Sequence, residues 1–278
     1  MMSSSYYAPP GGLRDQNTRT VDRAVFTEAY AFLPAHTLSD ITTSYLPGWD
    51  KARAWVLARP MSGFAETFAQ LIVEIAPGGH ATKPEPDPDA EGVVFVLSGR
   101  LDLTLKGTHH DLSEGGYAFL APNEDWSLAN VSAAPVTLVW IRKIWTPAEG
   151  IAKPESFVTS DQQTAARPMA GTEGKWATTR FVEPDDMRHD MHVNIVTIQP
   201  GATIPFAETH VMEHGLYVLQ GRGVYLLNKD WVEVEGGDFM WLRAFCPQAC
   251  YAGGTQPFRY LLYKDVNRHM PLRGMLGR

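Results

Sequence analysis

The chain repeats itself, and this internal duplication constrains the fold more than any other feature of the sequence. Three segments of the first half, VEIAPGGH, VVFVLSGRLDLTL and GGYAFLAPNEDWS, have counterparts in the second half, VTIQPGAT, LYVLQGRGVYLL and GGDFMWLRAFCPQ, at a period of about 122 residues. The segments are rich in β-branched and aromatic residues, and glycines and prolines lie at their ends. A duplicated set of short strands is most economically explained by two β-barrels in tandem.

The duplication divides the chain into four parts. Residues 1–62 are interpreted as an N-terminal arm with accessory strands, which either extend the first barrel or clasp a partner domain. Residues 63–145 form the expected N-terminal barrel, and residues 177–278 form the expected C-terminal barrel. Between them, residues 146–176 are rich in Pro, Gly, Ser, Thr and Ala, so this segment is interpreted as a linker. The predicted fold class is all-β.

Composition and charge limit the classes of partner. The chain has 278 residues, of which 44% are hydrophobic and 20% charged, as in ordinary folded proteins. Its formal net charge of −7 and the lack of basic clusters argue against nucleic acid or an anionic membrane as a partner. We find neither a secretory signal nor an apolar run of about eighteen residues, and there are only two cysteines. A cytoplasmic location is therefore expected.

One segment of the second repeat concentrates side chains that can bind a metal. In QPGATIPFAETHVMEHGLYVLQGRG, residues 199–223, Glu208, His210 and His214 lie between a Pro-Gly turn and a Gly-Arg-Gly turn. Residues two apart in an extended strand point to the same side, so Glu208 and His210 project together. If the chain bends after Met212, His214 begins the next strand and faces the other two. The pattern predicts a metal site held by strands.

Two other interpretations fit the same residues. His210 to His214 spells H-x-x-E-H, a zinc-peptidase motif in which a helix brings both histidines to one side and Glu213 acts as the base. Pro205 and Gly215 leave little room for such a helix, and the flanking hydrophobicity has a period of two. Isolated histidines are also commonly structural. Three ligand types on one predicted face favour metal binding over that interpretation.

The second repeat resembles the cupin family. Cupins are small antiparallel β-barrels, also called double-stranded β-helices or jelly rolls. Two motifs, G-x5-H-x-H-x3-4-E-x6-G and G-x5-P-x-G-x2-H-x3-N, supply three histidines and a glutamate to one divalent metal. The first motif is matched in order, with Glu where the first His is usual and His where the Glu is usual, by Gly201, Glu208, His210, His214 and Gly221.

The second cupin motif departs further from the family pattern. Gln248 stands where the third histidine is usual, Arg243 replaces the proline, and the final Asn is absent. The resemblance therefore implies a divergent two-barrel cupin, a bicupin. The implied metal ligands are Glu208, His210, His214 and Gln248.

These departures resemble one branch of the cupins, the (S)-ureidoglycine aminohydrolases, which are bicupin manganese enzymes of purine and allantoin breakdown. The resemblance rests on ETHVMEHGLYVLQGRGVYLL, on Gln248 and on the later YLLYKDVNR. It implies Mn²⁺ as the cofactor, with Fe²⁺ or Zn²⁺ as alternatives, and hydrolysis of (S)-ureidoglycine to (S)-ureidoglycolate and ammonia. A small anionic substrate is expected. A homo-oligomer is also expected, because cupin barrels commonly associate.

The resemblance also assigns roles to individual residues. Tyr225, Gln248, Tyr260 and Lys264 match positions around the substrate, and Glu208 and Lys264 are the candidate catalytic groups that move protons. Two imidazoles, a carboxylate and an amide leave a divalent ion with about one net positive charge and two open positions, which suits a small carboxylate. From the sequence pattern alone, an outward-facing strand lysine is the simpler interpretation of Lys264.

The first repeat lacks the ligands. Subtracting the offset between the repeats places Pro86, Pro88, Gly92 and Ser127 at the four ligand positions. The side chains of proline and glycine cannot bind a metal, and a lone serine hydroxyl is a poor ligand. The N-terminal barrel is therefore expected to be a structural or oligomerisation unit without a metal.

Two other classes of function remain open from the sequence. Two histidines and one carboxylate are also typical of non-haem Fe(II) dioxygenases, which occur among cupins. A bicupin can also bind a small molecule without turnover, because a fold does not define a function. The fourth ligand, Gln248, argues against both. His192 and Asn194 share one face of a predicted strand, but the sequence cannot distinguish a cavity position from a hydrogen-bonded core position, and neither residue is assigned a role.

Overall fold

Almost every regular element of the protein is a β-strand. The computed structural model describes residues 24–39, 43–60, 63–265 and 268. A short 3₁₀ helix, Ala35–Ser39, lies within these ranges, and no helix there is long and apolar enough to cross a membrane. The strands in chain order are β1 (Val25–Phe26), β2 (Tyr30–Leu33), β3 (Thr43–Ser44), β4 (Trp49–Ala58), β5 (Phe68–Ala81), β6 (Ala90–Ser98), β7 (Leu101–Leu105), β8 (Thr108–Leu112), β9 (Gly116–Leu120), β10 (Trp126–Ala129), β11 (Val136–Ile144), β12 (Phe157–Ser160), β13 (Ala166–Pro168), β14 (Trp176–Arg180), β15 (His192–Ile198), β16 (His214–Gln220), β17 (Arg222–Leu227), β18 (Asp230–Glu235), β19 (Phe239–Leu242), β20 (Gln248–Gly253) and β21 (Phe258–Lys264).

Strands β3 to β12 build the first barrel. The long strand β5 pairs antiparallel with β4, β10 and β11 and so belongs to both walls of the barrel. One wall has the order β12-β9-β6-β11-β5, and the hairpin β7-β8 together with β10 forms the other. Inward-facing apolar side chains such as Leu71, Val94, Leu103 and Leu138 fill the interior. Successive side chains of a strand point to opposite faces, so one face of each strand can line the interior.

The second barrel contains β13 to β21 together with β1 and β2. Its large sheet has the order β1-β2-β19-β16-β21-β15-β14-β13, and the small sheet β18-β17-β20 forms the other wall. The interior is lined by buried side chains that include Val196, Leu216, Val218 and Tyr260. Gly221 forms the tight turn between β16 and β17 with a positive φ of 82°, where a side chain would collide with the Pro257 carbonyl.

The two barrels share one topology and one register. Strands β6 to β11 pair with one another as β16 to β21 do. Gly92 pairs with Leu120 in the first barrel, and His214 pairs with Leu242 in the second. The offset seen in the sequence is therefore kept in the strand register, and the prediction of an all-β fold with two cupin barrels is confirmed.

Segments outside the repeats join both barrels. In the N-terminal segment, β2 pairs with β19 of the second barrel, whereas β4 pairs with β5 of the first. Between the repeats, β12 pairs with β9 of the first barrel, and β13 pairs with β14 of the second. Residues 157–160 and 166–168, in the segment interpreted as a linker, are therefore strands of the two sheets.

The barrels pack against each other through the outer faces of their large sheets. Phe68 on β5 stacks on Tyr263 on β21 with ring centroids 3.8 Å apart. Tyr117 on β9 stacks on Phe181 with centroids 4.0 Å apart. Because side chains alternate along a strand, this contact uses one face of β15, β16 and β21 and leaves the other face to line the second barrel.

Candidate functional site

Glu208 and Gln248 are held side by side by their backbones. Glu208 lies in the extended segment before β16 and forms an isolated bridge with Gln248, the first residue of β20. The Glu208 N–H donates to the Gln248 carbonyl at 2.7 Å, and the Gln248 N–H donates to the Glu208 carbonyl at 2.9 Å. Directly opposite residues of an antiparallel pair project to the same face, so the carboxylate and the amide lie on one side.

His210 and His214 lie next to this pair. His210 Nε2 is 3.6 Å from Glu208 Oε2, and the two histidine rings have centroids 5.2 Å apart. His214 begins β16, as predicted for a chain that bends after Met212. Burial, followed by the charges of His210 and Lys264, lowers the pKa of His214 to about 3. Its imidazole is therefore neutral near pH 7, which is the form that binds metals.

The donor set suits a divalent cation, although its side chains do not close around one point. In this conformation, and among the described residues, no group of three His, Cys, Asp or Glu side chains is close enough to hold a metal ion. Two features nevertheless fit a metal. His214 is a neutral imidazole that is only 3% exposed, and Gln248 adds an amide oxygen beside the Glu208 carboxylate. A mixed nitrogen and oxygen set of this kind matches Mn²⁺, Fe²⁺ or Zn²⁺.

Two buried tyrosines lie against Gln248. The Tyr225 hydroxyl donates a hydrogen bond to Gln248 Oε1 at 2.9 Å. The Tyr260 ring is edge-on to the Tyr225 ring, with centroids 5.9 Å apart. Burial raises the pKa of both tyrosines, and the nearby Glu208 carboxylate raises them further. Both side chains are therefore neutral hydroxyls near pH 7, able to donate hydrogen bonds.

Lys264 lies on the inner face of the second barrel. On β21 it alternates in phase with Tyr260, which belongs to the interior of that barrel, so the outward-facing interpretation is wrong. In register, Lys264 lies between His214 on β16 and His192 on β15. Burial, followed by the charge of Arg180, lowers the pKa of Lys264. Among the described residues, no carboxylate forms an ion pair with its ammonium group.

Three further polar residues share this inner face. Arg180 on β14 pairs with Asn194 on β15, and His192 lies two residues before Asn194. Burial, followed by the charge of Lys264, lowers the pKa of His192 to about 4, so this ring is also neutral near pH 7. The sequence pattern alone gives these residues no role. A period-two pattern marked His192 and Asn194, but nothing in the sequence indicated that Arg180 would lie beside them.

Glu213 has a structural role rather than the role of a catalytic base. Its carboxylate accepts hydrogen bonds from the Glu66 N–H at 2.9 Å, the Thr67 N–H at 2.6 Å and the Trp241 indole N–H at 2.8 Å. Glu66 and Thr67 precede β5, so Glu213 connects the two barrels. The segment that contains His210 is not helical. The zinc-peptidase interpretation of H-x-x-E-H therefore does not apply.

The corresponding region of the first barrel is filled by aromatic side chains. Trp49 and Trp126 both pack on Trp140, with ring centroids 5.2 and 6.5 Å away. Gly92, which corresponds to His214, lies against the Trp140 ring, and a Cβ there would be 3.1 Å from the Ile141 carbonyl oxygen and 3.4 Å from the indole nitrogen. The cavity that remains measures about 50 Å³, enough for a few water molecules.

A family model matches both barrels of the chain. The model, described as a cupin domain, matches residues 71–142 and again residues 194–263. The first range runs from β5 to β11, and the second runs from β15 to β21. Both copies of the duplicated unit are therefore cupin domains.

Three proteins resemble the chain over most of its length. The (S)-ureidoglycine aminohydrolase of Arabidopsis thaliana is 32% identical over 250 residues, which are 89% of this chain and 79% of the plant protein. The (S)-ureidoglycine aminohydrolase of Escherichia coli (strain K12) is 28% identical over 237 residues, which are 85% of this chain and 89% of the bacterial protein. A crystal structure described as a glyoxylate-induced protein from Pseudomonas aeruginosa is 59% identical, with a TM-score of 0.88, and covers 96% of this chain and 98% of its own.

Proposed function

The chain belongs to the (S)-ureidoglycine aminohydrolase family of bicupins and is a hydrolase, and from this premise we propose that it releases ammonia from (S)-ureidoglycine in ureide catabolism. In the proposed reaction water replaces the amine on the α-carbon. One C–N bond breaks and one C–O bond forms, and the products are (S)-ureidoglycolate and ammonium. The substrate is a small molecule that carries a carboxylate and a ureido group.

The proposed metal ligands are Glu208, His210, His214 and Gln248. A divalent ion bound there supplies a Lewis acid that anchors and polarises the substrate. One anionic ligand and three neutral ligands leave a net positive charge at the site, which favours an anionic substrate. Mn²⁺ is the ion that the family resemblance implies, and the same donors suit Fe²⁺ and Zn²⁺.

The observation that carries the proposal is the position of Lys264 beside the buried, neutral His214. The two residues are paired across β16 and β21, so their Cα atoms are about 5 Å apart. A molecule that binds beside His214 is therefore within reach of the Lys264 ammonium group. No ion pair with a described carboxylate engages that charge, so it is free to hold the substrate carboxylate.

The proposed proton transfers use Glu208 and Lys264. Glu208 has a side chain that is 19% exposed, so water can reach its carboxylate. Lys264, which is paired in register with His214, is the proposed donor of the proton that the departing amine gains. The raised pKa values of Tyr225 and Tyr260 make these hydroxyls hydrogen-bond donors rather than bases.

The test is ammonia release from freshly prepared (S)-ureidoglycine by protein that has been stripped of metal and reloaded with Mn²⁺, Fe²⁺ or Zn²⁺. We expect activity only after reloading, with (S)-ureidoglycolate as the product. Lys264→Met should lower kcat/KM by about 100-fold or more at unchanged metal content. Lys106→Met, in which an exposed lysine of the first barrel is replaced, is the matched control and should keep full activity.

Two outcomes would replace the proposal with another function. Oxygen consumption by the iron-loaded protein without ammonia release would indicate a non-haem dioxygenase. Tight binding of ureido acids without any turnover would indicate a binding protein.

A further inference from the structure

Two buried polar atoms on the inner face of β15 lack hydrogen-bond partners. They are His192 Nε2 and Asn194 Oδ1, on side chains of β15. His192 is 2% exposed and Asn194 is 4% exposed. A buried polar atom without a partner destabilises the folded protein, and a bound ligand that supplies the partner removes this cost.

The two residues lie at the edge of the candidate site. His192, Lys264 and His214 form one row across three neighbouring strands. Two strand spacings separate the Cα atoms of His192 and His214 by roughly 10 Å. A molecule of the size of a small ureido acid, bound near His214 and Lys264, therefore extends toward β15.

Two cations accompany these atoms. Arg180 is paired in register with Asn194, and Lys264 is paired with His192. Neither cation forms an ion pair with a carboxylate among the described residues. This part of the face therefore offers two positive charges for an anion and two unpartnered atoms for a neutral polar group.

We propose that His192 Nε2 and Asn194 Oδ1 accept hydrogen bonds from the N–H groups of the substrate's ureido end, while Arg180 and Lys264 face its carboxylate. The identity of the substrate in this inference rests on the proposed function. A neutral imidazole presents one acceptor nitrogen, and the amide of asparagine presents one acceptor oxygen. A ureido group has three N–H donors, two on its terminal NH₂ and one on its internal nitrogen, so it can supply a donor to each of the two acceptors.

This arrangement makes His192 and Asn194 specificity-determining residues. A ligand without the terminal NH₂ leaves a buried acceptor unpaired, and such a site rejects that ligand strongly. N-carbamoylglycine and N-acetylglycine are stable acids that test this point. They share the carboxylate and the internal N–H, but a methyl group replaces the terminal NH₂ in N-acetylglycine.

The experiment measures the dissociation constants of both acids by calorimetry, using the full-length protein loaded with Mn²⁺. The wild-type protein should bind N-carbamoylglycine at least about 10-fold more tightly than N-acetylglycine. Asn194→Leu and His192→Phe should each reduce this preference at least about 5-fold, with N-acetylglycine affinity within about 2-fold of wild type. Thr178→Val replaces another buried polar residue on the inner face of β14 and should keep the preference.

A wild-type protein without the preference, or folded Asn194→Leu and His192→Phe proteins that both keep it, would overturn the inference. Circular dichroism checks the fold, and if one variant does not fold the other decides. Failure here is separable from failure of the proposed function. If the wild-type protein releases ammonia but does not prefer N-carbamoylglycine, only the inference is contradicted. If the wild-type protein has the preference, both variants lose it and no ammonia is released, only the proposed reaction is contradicted.

Discussion

Glu208 and Gln248 exchange two backbone hydrogen bonds, of 2.7 and 2.9 Å, and so hold a carboxylate and an amide on one face of the second barrel. The extended segment before β16 is tied to β20 at this point. Because the backbones fix the pair, the two side chains do not need to be brought together by the ligand. The backbones therefore fix two of the four proposed ligands relative to each other.

The Tyr225 hydroxyl is predicted to support the metal through Gln248. Tyr225→Phe removes the hydrogen bond to Gln248 Oε1 and keeps the ring, so the amide loses the contact that orients it. Metal affinity, measured by competition with a chelator, should fall by about 10-fold or more. Tyr251→Phe changes an exposed tyrosine of β20, the strand of Gln248, and should leave the metal affinity unchanged. Equal affinities for both variants would show that Tyr225 does not orient Gln248.

The Glu213 carboxylate is predicted to stabilise the contact between the barrels. In Glu213→Gln an NH₂ group replaces one acceptor oxygen, so at least one of the N–H groups of Glu66, Thr67 and Trp241 loses its partner. The free energy of unfolding should fall by about 3 kcal/mol in chemical denaturation. The exposed Glu233→Gln should change it by less than about 0.5 kcal/mol. Similar stabilities for the two variants would contradict this role.

The buried ion pair between Lys143 and Asp190 also lies between the repeats. Its atoms are 2.8 Å apart, and the side chains are 3% and 0% exposed. Lys143→Met leaves the Asp190 charge buried without its cation, so the free energy of unfolding should fall by about 3 to 5 kcal/mol. Lys175→Met breaks a pair with Glu173 whose side chains are 63% and 83% exposed, and it should cost less than about 1 kcal/mol. A small effect of Lys143→Met in denaturation would mean that Asp190 finds another partner.

The pH dependence of stability is predicted to contain a contribution from Asp265. Burial, followed by the Glu213 carboxylate, raises the pKa of Asp265 from its usual value near 3.8 to about 6. Folding therefore favours the protonated acid. The stabilisation from protonated Asp265 is fully present below the pKa of the unfolded state and is lost as the pH rises through about 6.

Replacing Asp265 tests this assignment directly. In metal-free protein, Asp265→Asn should gain up to about 3 kcal/mol of stability relative to wild type as the pH rises from about 4 to 7. The difference between the two proteins is the quantity to measure, because other groups titrate in the same range. A difference that stays constant with pH, or grows as the pH falls, would contradict the raised pKa.

The sequence predicts the two barrels because their strands are encoded locally. The duplicated β-rich segments and the glycines of the turns, such as Gly221, identify each strand. This local signal does not depend on which strands pair with each other. The order Glu208, His210, His214 likewise places three donors around one bend. Period two along β15 puts His192 and Asn194 on one face.

The sequence could not predict contacts that depend on pairing between distant strands. Arg180 lies beside Asn194 only because β14 pairs with β15 in one register, and a shift of one residue would turn Arg180 to the other face. The Glu213 anchor likewise depends on the packing of one barrel on the other. Strand partners are chosen by tertiary packing, which local patterns do not encode.

The segments next to the repeats illustrate the same limit. β2 joins the second barrel although it precedes the first in the chain, and β12 and β13 join different sheets. Their short, mixed sequences carry no signal for these partners. Only the assembled sheets provide edges to which the strands can add.

The most direct measurement is the metal content per chain, determined by elemental analysis after loading with Mn²⁺ and removal of excess ion. Wild-type protein and His109→Ala, in which an exposed histidine of the first barrel is replaced, should retain one ion per chain. Glu208→Gln and His214→Ala should retain almost none, because each removes a proposed ligand. One ion per chain in folded His214→Ala would contradict the placement of the metal in the second barrel.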